Sequence, residues 1–357
     1  MKIPNYWSSH RIDFDYKNKP REVFRFGWSD ISLEDAKNHA IARCEDARTR
    51  ILAGEKYIKR YDGKGKYLDE SGLPIREQVV ERYDNLNAVT TINSYGATCL
   101  NVENVLILDI DNDYFDNQFL PIIATELLPV KHISGWWAWV VALILGTILP
   151  NLHLSVWIFL FFCVLLITFF IIFKINNKRN KVLKVQQNQL LTTHIENEGG
   201  YLAMLQKILT PFLQQNPQAS FNLYQTPQGF RLIALHDNFT ANDEFTQICF
   251  DNLPVDTVYQ KLCKVQQCFR ARVTGKPWRM GIKTQFLGYQ DFWRDDIPVK
   301  FQQQNQQWLN QYHQTAQHYS ACHFIKKIGN AEIHPNIAKF LDLHDKLCKA
   351  KINLPLA

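Results

Sequence analysis

The sequence predicts an α+β soluble domain with an inserted two-helix transmembrane hairpin. Three observations carry that expectation. The 42 residues between Lys131 and Lys174 hold no Lys, Arg, Asp or Glu. Amphipathic helical periodicity appears on both sides of that segment, and short apolar strands flank it, one of them ending in paired aspartates. A membrane-spanning helix needs only about 20 apolar residues, so two spans fit, at 133–149 and 154–173. Between them stands "PNLH", where Pro150 cannot donate to a continuing helix and Asn151 favours a turn. Trp136, Trp137 and Trp139 form an aromatic belt at the entrance.

The flanking charge sets the orientation. Lys131 precedes the first span, and Lys174, Lys178, Arg179, Lys181 and Lys184 follow the second, while the connecting turn has no Lys or Arg. Positive flanks stay inside, so the expectation is a multi-pass protein of the cytoplasmic (inner) membrane with both termini cytoplasmic and the lipid bilayer as a partner. The N-terminal "MKIPNYWSSHRIDFDY" has no apolar core of the kind that a cleavable signal carries. The soluble mass then falls into an N-terminal part, residues 1–130, and a basic C-terminal part, residues 176–357, around the 131–175 hairpin. These parts form one α+β domain or, alternatively, two small ones.

Composition narrows the partners. Residues 1–130 carry 17 basic and 21 acidic side chains, whereas residues 131–357 carry 23 and 13. The basic half is the natural partner for phosphate groups. Eight scattered cysteines, one inside the apolar run, do not make a disulfide framework and read as reduced thiols.

Taken in order, "SLEDAKNHAIARCEDARTRILAG" predicts a helix capped by Ser32, with Ala36, Ala40, Ala47 and Ile51 on one face and Gly54 as its stop. A turn-rich connector, "YDGKGKYLDESGLP", leads to "REQVVERY" (76–83), expected to be a short helix. "ATCLNVENVLILDID" reads as one or two strands, the last apolar enough to be buried on both faces. The basic "KINNKRNKVLKVQQNQLL" and then "YLAMLQKILTPFLQQ" read as helices. "SFNLYQ" and "FRLIAL" are strands around a turn containing Pro227 and Gly229. "VDTVYQKLCKVQQCFRARV" is helical and then extended. The glutamine-rich "FQQQNQQWLNQYHQTAQHYSACHFIKKIG" and "HPNIAKFLDLHDKLCKA" are helical.

Two constellations carry candidate chemistry. Residues i and i+2 of a strand share a face, so Asp109 and Asp111 project together from the end of "NVLILDI". Paired carboxylates there suit Mg2+ or Mn2+, hard cations that take oxygen ligands and leave positions open to phosphates. Asp113 and Asp116 could add charge nearby. An EF-hand does not fit, because Tyr114 stands where that loop needs glycine. The second constellation is the acid-free stretch from Thr257 to Gln290, with Lys261, Lys264, Arg270, Arg272, Lys276, Arg279 and Lys283 interleaved with Phe269, Trp278 and Phe286. Arg270, Arg272, Lys276 and Arg279 are the candidate phosphate-binding residues. Arg270 and Arg272 would share a strand face as a forked donor array. "TGKPWRMG" has too few glycines, and no following Ser or Thr, for a phosphate-cradling loop. Cys263 and Cys268, and likewise His313, His318 and His323, are spaced by five, which on a helix puts neighbours on different faces and disfavours zinc. No nucleophile elbow or His-Glu-x-x-His is present.

Two local resemblances bear on activity. "LILDID" resembles the metal-binding strand of the archaeo-eukaryotic primase catalytic core, and "TPQGFRLIALH" resembles its nucleotide-binding turn and strand. Arg231 stands where that family has histidine, and His236 comes later. The same aspartate pair also resembles the haloacid dehalogenase-like phosphatases, implying Asp109 as nucleophile and Asp111 as acid/base. Asp113 departs from that pattern, and the later pair Asp295 and Asp296 lacks an apolar strand before it. Over most of its length, through "FGWSDISLEDAKNHAIAR", "NSYGATCLNVENVLILDID", "QTPQGFRLIAL" and "YQKLCKVQQCFRARVTGKPWRMG", the chain resembles a group of bacterial membrane-hairpin proteins of unassigned function. That resemblance implies a bacterial cytoplasmic membrane and one soluble module built from both flanks, and carries no activity. The resulting expectation is a phosphate-bearing ligand, nucleotide or nucleic acid, with metal-dependent phosphoryl or nucleotidyl transfer. The alternatives are a non-catalytic tethered binding or adaptor protein, and a polar strand end in an acidic loop with the basic face held against anionic headgroups or salt-bridged to the acidic N-terminal half.

Overall fold

The computed structural model describes residues 1–62, 74–127, 133–148, 154–283 and 298–357. The chain divides into two compact units, one of Met1–Asn112 with Ile208–Ala357 and the other of Asp113–Lys207. The connector at 63–73, Lys131, the turn at Pro150, Phe286, Asp295 and Asp296 lie outside the described residues.

The first unit opens with an antiparallel hairpin, β1 (Tyr6–Tyr16) and β2 (Lys19–Ser29), turned through Lys17 and Asn18 at positive φ. Helix α1 (Leu33–Leu52) lies against it. As the sequence predicts, Ser32 caps α1: its Oγ accepts from the Asp35 N–H at 3.1 Å, meeting one of the donors that a helix start leaves open. Its buried face is small, with Ala36, Ala40, Cys44 and Ala47, so the helix can approach the hairpin closely. The approach is closest at Gly27, where a Cβ would stand 2.1 Å from the Ala36 carbonyl oxygen and 2.2 Å from the Ala40 nitrogen.

Two four-stranded antiparallel sheets follow. One has the order β3 (Gln78–Tyr83), β4 (Ala88–Ile92), β5 (Thr98–Val102), β9 (Phe269–Arg272). The other runs β10 (His323–Ile328), β7 (Phe221–Thr226), β8 (Gly229–Ala234), β6 (Ile107–Asp111). β3 corrects the helix expected over 76–83. The β-branched Val79 and Val80 suit a pleated strand, and β4 presents a partner row from Gln78 opposite Ile92 to Tyr83 opposite Ala88. Backbone pairing across the chain overrode a weak local helical preference.

The second unit contains α2 (Asp113–Glu126), α3 (Trp136–Ile148), α4 (Leu154–Asn197) and the start of α5 (Gly200–Gln215). The inserted transmembrane hairpin expected here is overturned: among the described residues, no helix is long and apolar enough to cross a membrane. α3 has 13 residues, about 20 Å of helix against a hydrocarbon core of roughly 30 Å. α4 does not stop at its apolar part but continues as one helix through Lys174, Lys178 and Arg179. The multi-pass topology and the cytoplasmic-membrane location rested on that hairpin and fall with it. α3 and α4 pair with each other, and Leu165 and Ile172 of α4 are buried with Val164 and with Ile133, which precedes α3, packed against them. Asn176 fastens the pair, accepting from the Ile133 N–H at 3.1 Å and donating to the Ile133 carbonyl at 3.0 Å.

The remaining elements, α6 (Glu244–Asn252), α7 (Thr257–Gln266), α8 (Val299–Ala316) and α9 (Pro335–Cys348), belong to the first unit. The helix expected through Gly329 stops at Ala316, and His323–Ile328 is instead strand β10, paired with β7. All eight cysteines are free thiols, in keeping with their scatter.

Gly27→Ala tests the close approach of β2 to α1. The added methyl must push the helix off the strand, and overpacking of this kind costs about 1–3 kcal/mol. A lowered midpoint in urea unfolding followed by circular dichroism is expected.

Candidate functional site

β6 and β9 are edge strands of different sheets, and helix α7 fastens them together. Asp256 caps α7, its carboxylate accepting from the Tyr259 N–H at 2.6 Å, while its own N–H donates to the Asp109 carbonyl at 3.1 Å. The cap thus ties the helix start to β6 and aims Tyr259 into the seam. There the Tyr259 hydroxyl donates to the Ile107 carbonyl at 2.9 Å and accepts from the Arg270 N–H at 3.3 Å. Burial drives its pKa well above the ordinary phenol value, so it remains a donor.

Asp109 and Asp111 project from the same face of β6, with buried Ile110 between them. Asp109 is half-buried and Asp111 exposed. Across the ladder Asp109 faces Arg231 and Asp111 faces Gly229. A Cβ at Gly229 would lie 2.0 Å from the Ile110 carbonyl oxygen, so only glycine lets β8 close on β6 here. The tight turn before it brings Gln228 to the same end of the strand. Its carbonyl accepts from the Asn112 N–H at 2.9 Å, and its side-chain oxygen accepts from Arg279.

The basic stretch folds back to this point. Lys276 lies within the electrostatic reach of Arg272, Arg279, Asp111 and Asp109 together. Burial, then the two arginines, lower its pKa from the ordinary 10.5, and the two aspartates oppose them. Arg279 is held down likewise by burial and by Arg272, with Asp111 opposing. Arg272 Nε, Arg279 Nη1 and Asn112 Oδ1 are buried and have no hydrogen-bond partner among the described residues. Beside them, Lys276 stands 5.5 Å from the ring centre of Trp278, which is 51% exposed and packs on Tyr95.

The sequence-predicted residues divide. Asp109, Asp111, Arg272, Lys276 and Arg279 come together. Arg270 shares the face of Arg272, as strand alternation requires, but is committed to Glu77 at 2.5 Å. Phe269 is in the core, Lys264 lies over Phe250, and the Lys283 carbonyl accepts from Trp308. Asp113 and Asp116 open α2 in the other unit, where Asp116 accepts from the Tyr201 hydroxyl. Arg231, standing where the primase resemblance implies histidine, is buried, and its Nη2 donates to the Arg272 carbonyl at 3.1 Å.

Two features escaped the sequence reading. Cys322, His344 and Cys348 converge, all buried, next to Arg231. The His344-x3-Cys348 spacing places both side chains on one helical face and was the available signal. The other is a cleft of about 800 Å³ beside the β1–β2 hairpin. Of its charges, Glu22 pairs with Arg60 and Glu55 with Arg50 of α1, while Asp13, Asp15 and Arg21 also line it, and it holds none of the candidate residues above. No protein family, curated protein or solved structure matches the chain.

Tyr259→Phe keeps the ring and removes both hydrogen bonds across the seam, leaving the Ile107 carbonyl and Arg270 N–H unmet. A loss of about 1–3 kcal/mol is expected. Hydrogen exchange should show β9 amides losing protection more than those of β4.

Proposed function

We propose that the seam between β6 and β9 binds a phosphate-bearing ligand, a nucleotide or a nucleic acid, together with a hard divalent cation, Mg2+ or Mn2+, held by Asp109 and Asp111. The observation that carries this reading is Lys276, which shares its surroundings with two arginines and both aspartates. Like-charged groups repel one another unless an anion joins them, and a phosphate is the anion that also bridges to a carboxylate-bound cation. Arg272 Nε and Arg279 Nη1, which have no hydrogen-bond partner among the described residues, would provide further hydrogen bonds to phosphate oxygens. Trp278 and Tyr95 offer an aromatic surface for a base.

In this arrangement the carboxylates hold the cation, and the cation with Arg272, Lys276 and Arg279 neutralises the phosphate. That is the electrostatic part of phosphoryl or nucleotidyl transfer. The primase-like "LILDID" points the same way. The non-catalytic reading, a nucleic-acid binding module, draws on the same cations and on Trp278 but needs no metal.

Isothermal titration with inorganic pyrophosphate, with and without Mn2+, separates these readings. Tighter binding with Mn2+ is expected, with Asp111→Asn abolishing the gain and Lys276→Met weakening affinity about tenfold, near 1.4 kcal/mol. Salt-sensitive binding of single-stranded DNA that ignores Mn2+ and survives Asp109→Asn would favour the binding module. Failure to bind pyrophosphate or DNA under any condition would overturn the proposal.

The lowered Lys276 pKa adds a pH signature. Only the protonated amine attracts phosphate, so affinity should fall as pH rises through that pKa, starting below the ordinary lysine value of 10.5. Lys276→Arg, protonated throughout, should lose this alkaline limb when pyrophosphate affinity is measured against pH.

A further inference from the structure

Cys322 Sγ, His344 Nε2 and Cys348 Sγ lie within 4.8 Å of one another, and all three side chains are buried. They come from separate places in the chain. Cys322 directly precedes β10, and His344 and Cys348 lie one turn apart on α9. The imidazole is oriented from behind. His344 Nδ1 is 3.0 Å from Asp345 Oδ1, which also accepts from the Tyr224 hydroxyl at 2.8 Å, while Asp345 Oδ2 pairs with Lys351 at 2.9 Å. A proton on Nδ1 satisfies that carboxylate and leaves the Nε2 lone pair facing the two sulfurs. Carboxylate support of this kind is the usual backing of a metal-bound histidine.

The spacing also fits. Tetrahedral ligands about 2.3 Å (sulfur) and 2.1 Å (nitrogen) from a zinc ion stand roughly 3.5–3.8 Å apart. Cys348 Sγ and His344 Nε2 are already 3.4 Å apart. Arg231 Nη1 now contacts all three atoms, 3.0 Å from Nε2, 3.7 Å from Cys348 Sγ and 3.9 Å from Cys322 Sγ. A cation thus already sits on the side where these electron pairs converge. It fits poorly, since the buried Arg231 Nε has no partner among the described residues.

We propose that Cys322, His344 and Cys348 form a binding site for a soft divalent metal ion of the zinc class, with Arg231 turning from the cluster toward Asp109 when the ion binds. Two thiolates and an imidazole select such an ion over Mg2+ or Mn2+, so the site is chemically separate from the aspartate pair and does not rest on the phosphate reading. Each thiol yields its proton to solvent on loading. The dication and two thiolates are then neutral together, and the guanidinium charge is left to Asp109, its cross-strand neighbour. The ion would clamp α9 to the start of β10.

The test uses the full chain under reducing conditions. Metal analysis of protein purified without chelator should find roughly one zinc per chain, and Co2+ added to stripped protein should give the thiolate-to-cobalt absorption of a tetrahedral site. Cys322→Ser and Cys348→Ser should each abolish that band, and Arg231→Met should keep it. Should these variants fail to fold, zinc X-ray absorption of the unaltered protein serves instead, with two sulfur donors and a histidine nitrogen expected. The proposal is overturned if the protein neither carries zinc nor develops the cobalt band, if the band survives Cys348→Ser, or if the absorption shows no sulfur donors.

Discussion

The Tyr259 hydroxyl joins two sheets that have no strand pairing with each other. It donates to β6 through Ile107 and accepts from β9 through Arg270. Both are edge strands, and an exposed edge with unmet backbone groups invites pairing with another chain. Here a helix covers the edge instead. Asp256 anchors that helix to the Asp109 carbonyl, and Arg231 reaches from β8 to the Arg272 carbonyl. With the two edges held at this spacing, the strand end bearing Asp109 and Asp111 and the loop bearing Lys276 and Arg279 share one volume. The candidate site is a consequence of the seam.

Charge is sorted along the seam by how each arginine is satisfied. Arg270 is neutralised by Glu77, and Arg231 is buried in the fold. Lys276 and Arg279 have their protonation lowered first by burial and then by Arg272, while Asp111, and at Lys276 also Asp109, opposes the shift. Like charges held close disfavour one another's charged forms, which under the proposed reading a phosphate ligand would offset. Arg231 pairs across the ladder with Asp109, while its guanidinium is directed at His344, Cys348 and Cys322 and at the Arg272 carbonyl. It thus links the strand that carries the aspartates to the Cys322, His344 and Cys348 cluster.

Hydropathy along α3 and α4 illustrates how a strong local signal can outrun its structural meaning. An uncharged run records which side chains avoid water. It does not record where each helix begins and ends, and those limits decide whether a span is long enough. α3 runs for 13 residues and α4 continues unbroken into its lysines, and Asn176 of α4 closes on Ile133.

By itself the sequence determined what depends on near neighbours: the Ser32 cap, the alternation that puts Asp109 and Asp111 on one face, the β7–β8 hairpin, and the helices α5, α7 and α9. These follow from hydrogen bonds and periodicities spanning a few residues. The tertiary structure alone decided that residues 78–83 form a strand, since β4 had to supply the partner row. It decided that Arg272 and not Arg270 joins the site, because Glu77 arrives from nearly 200 residues away to claim Arg270. It also brought Cys322 to the His344 and Cys348 face of α9. Such meetings depend on which distant segments close on each other, and no local period in the chain records that.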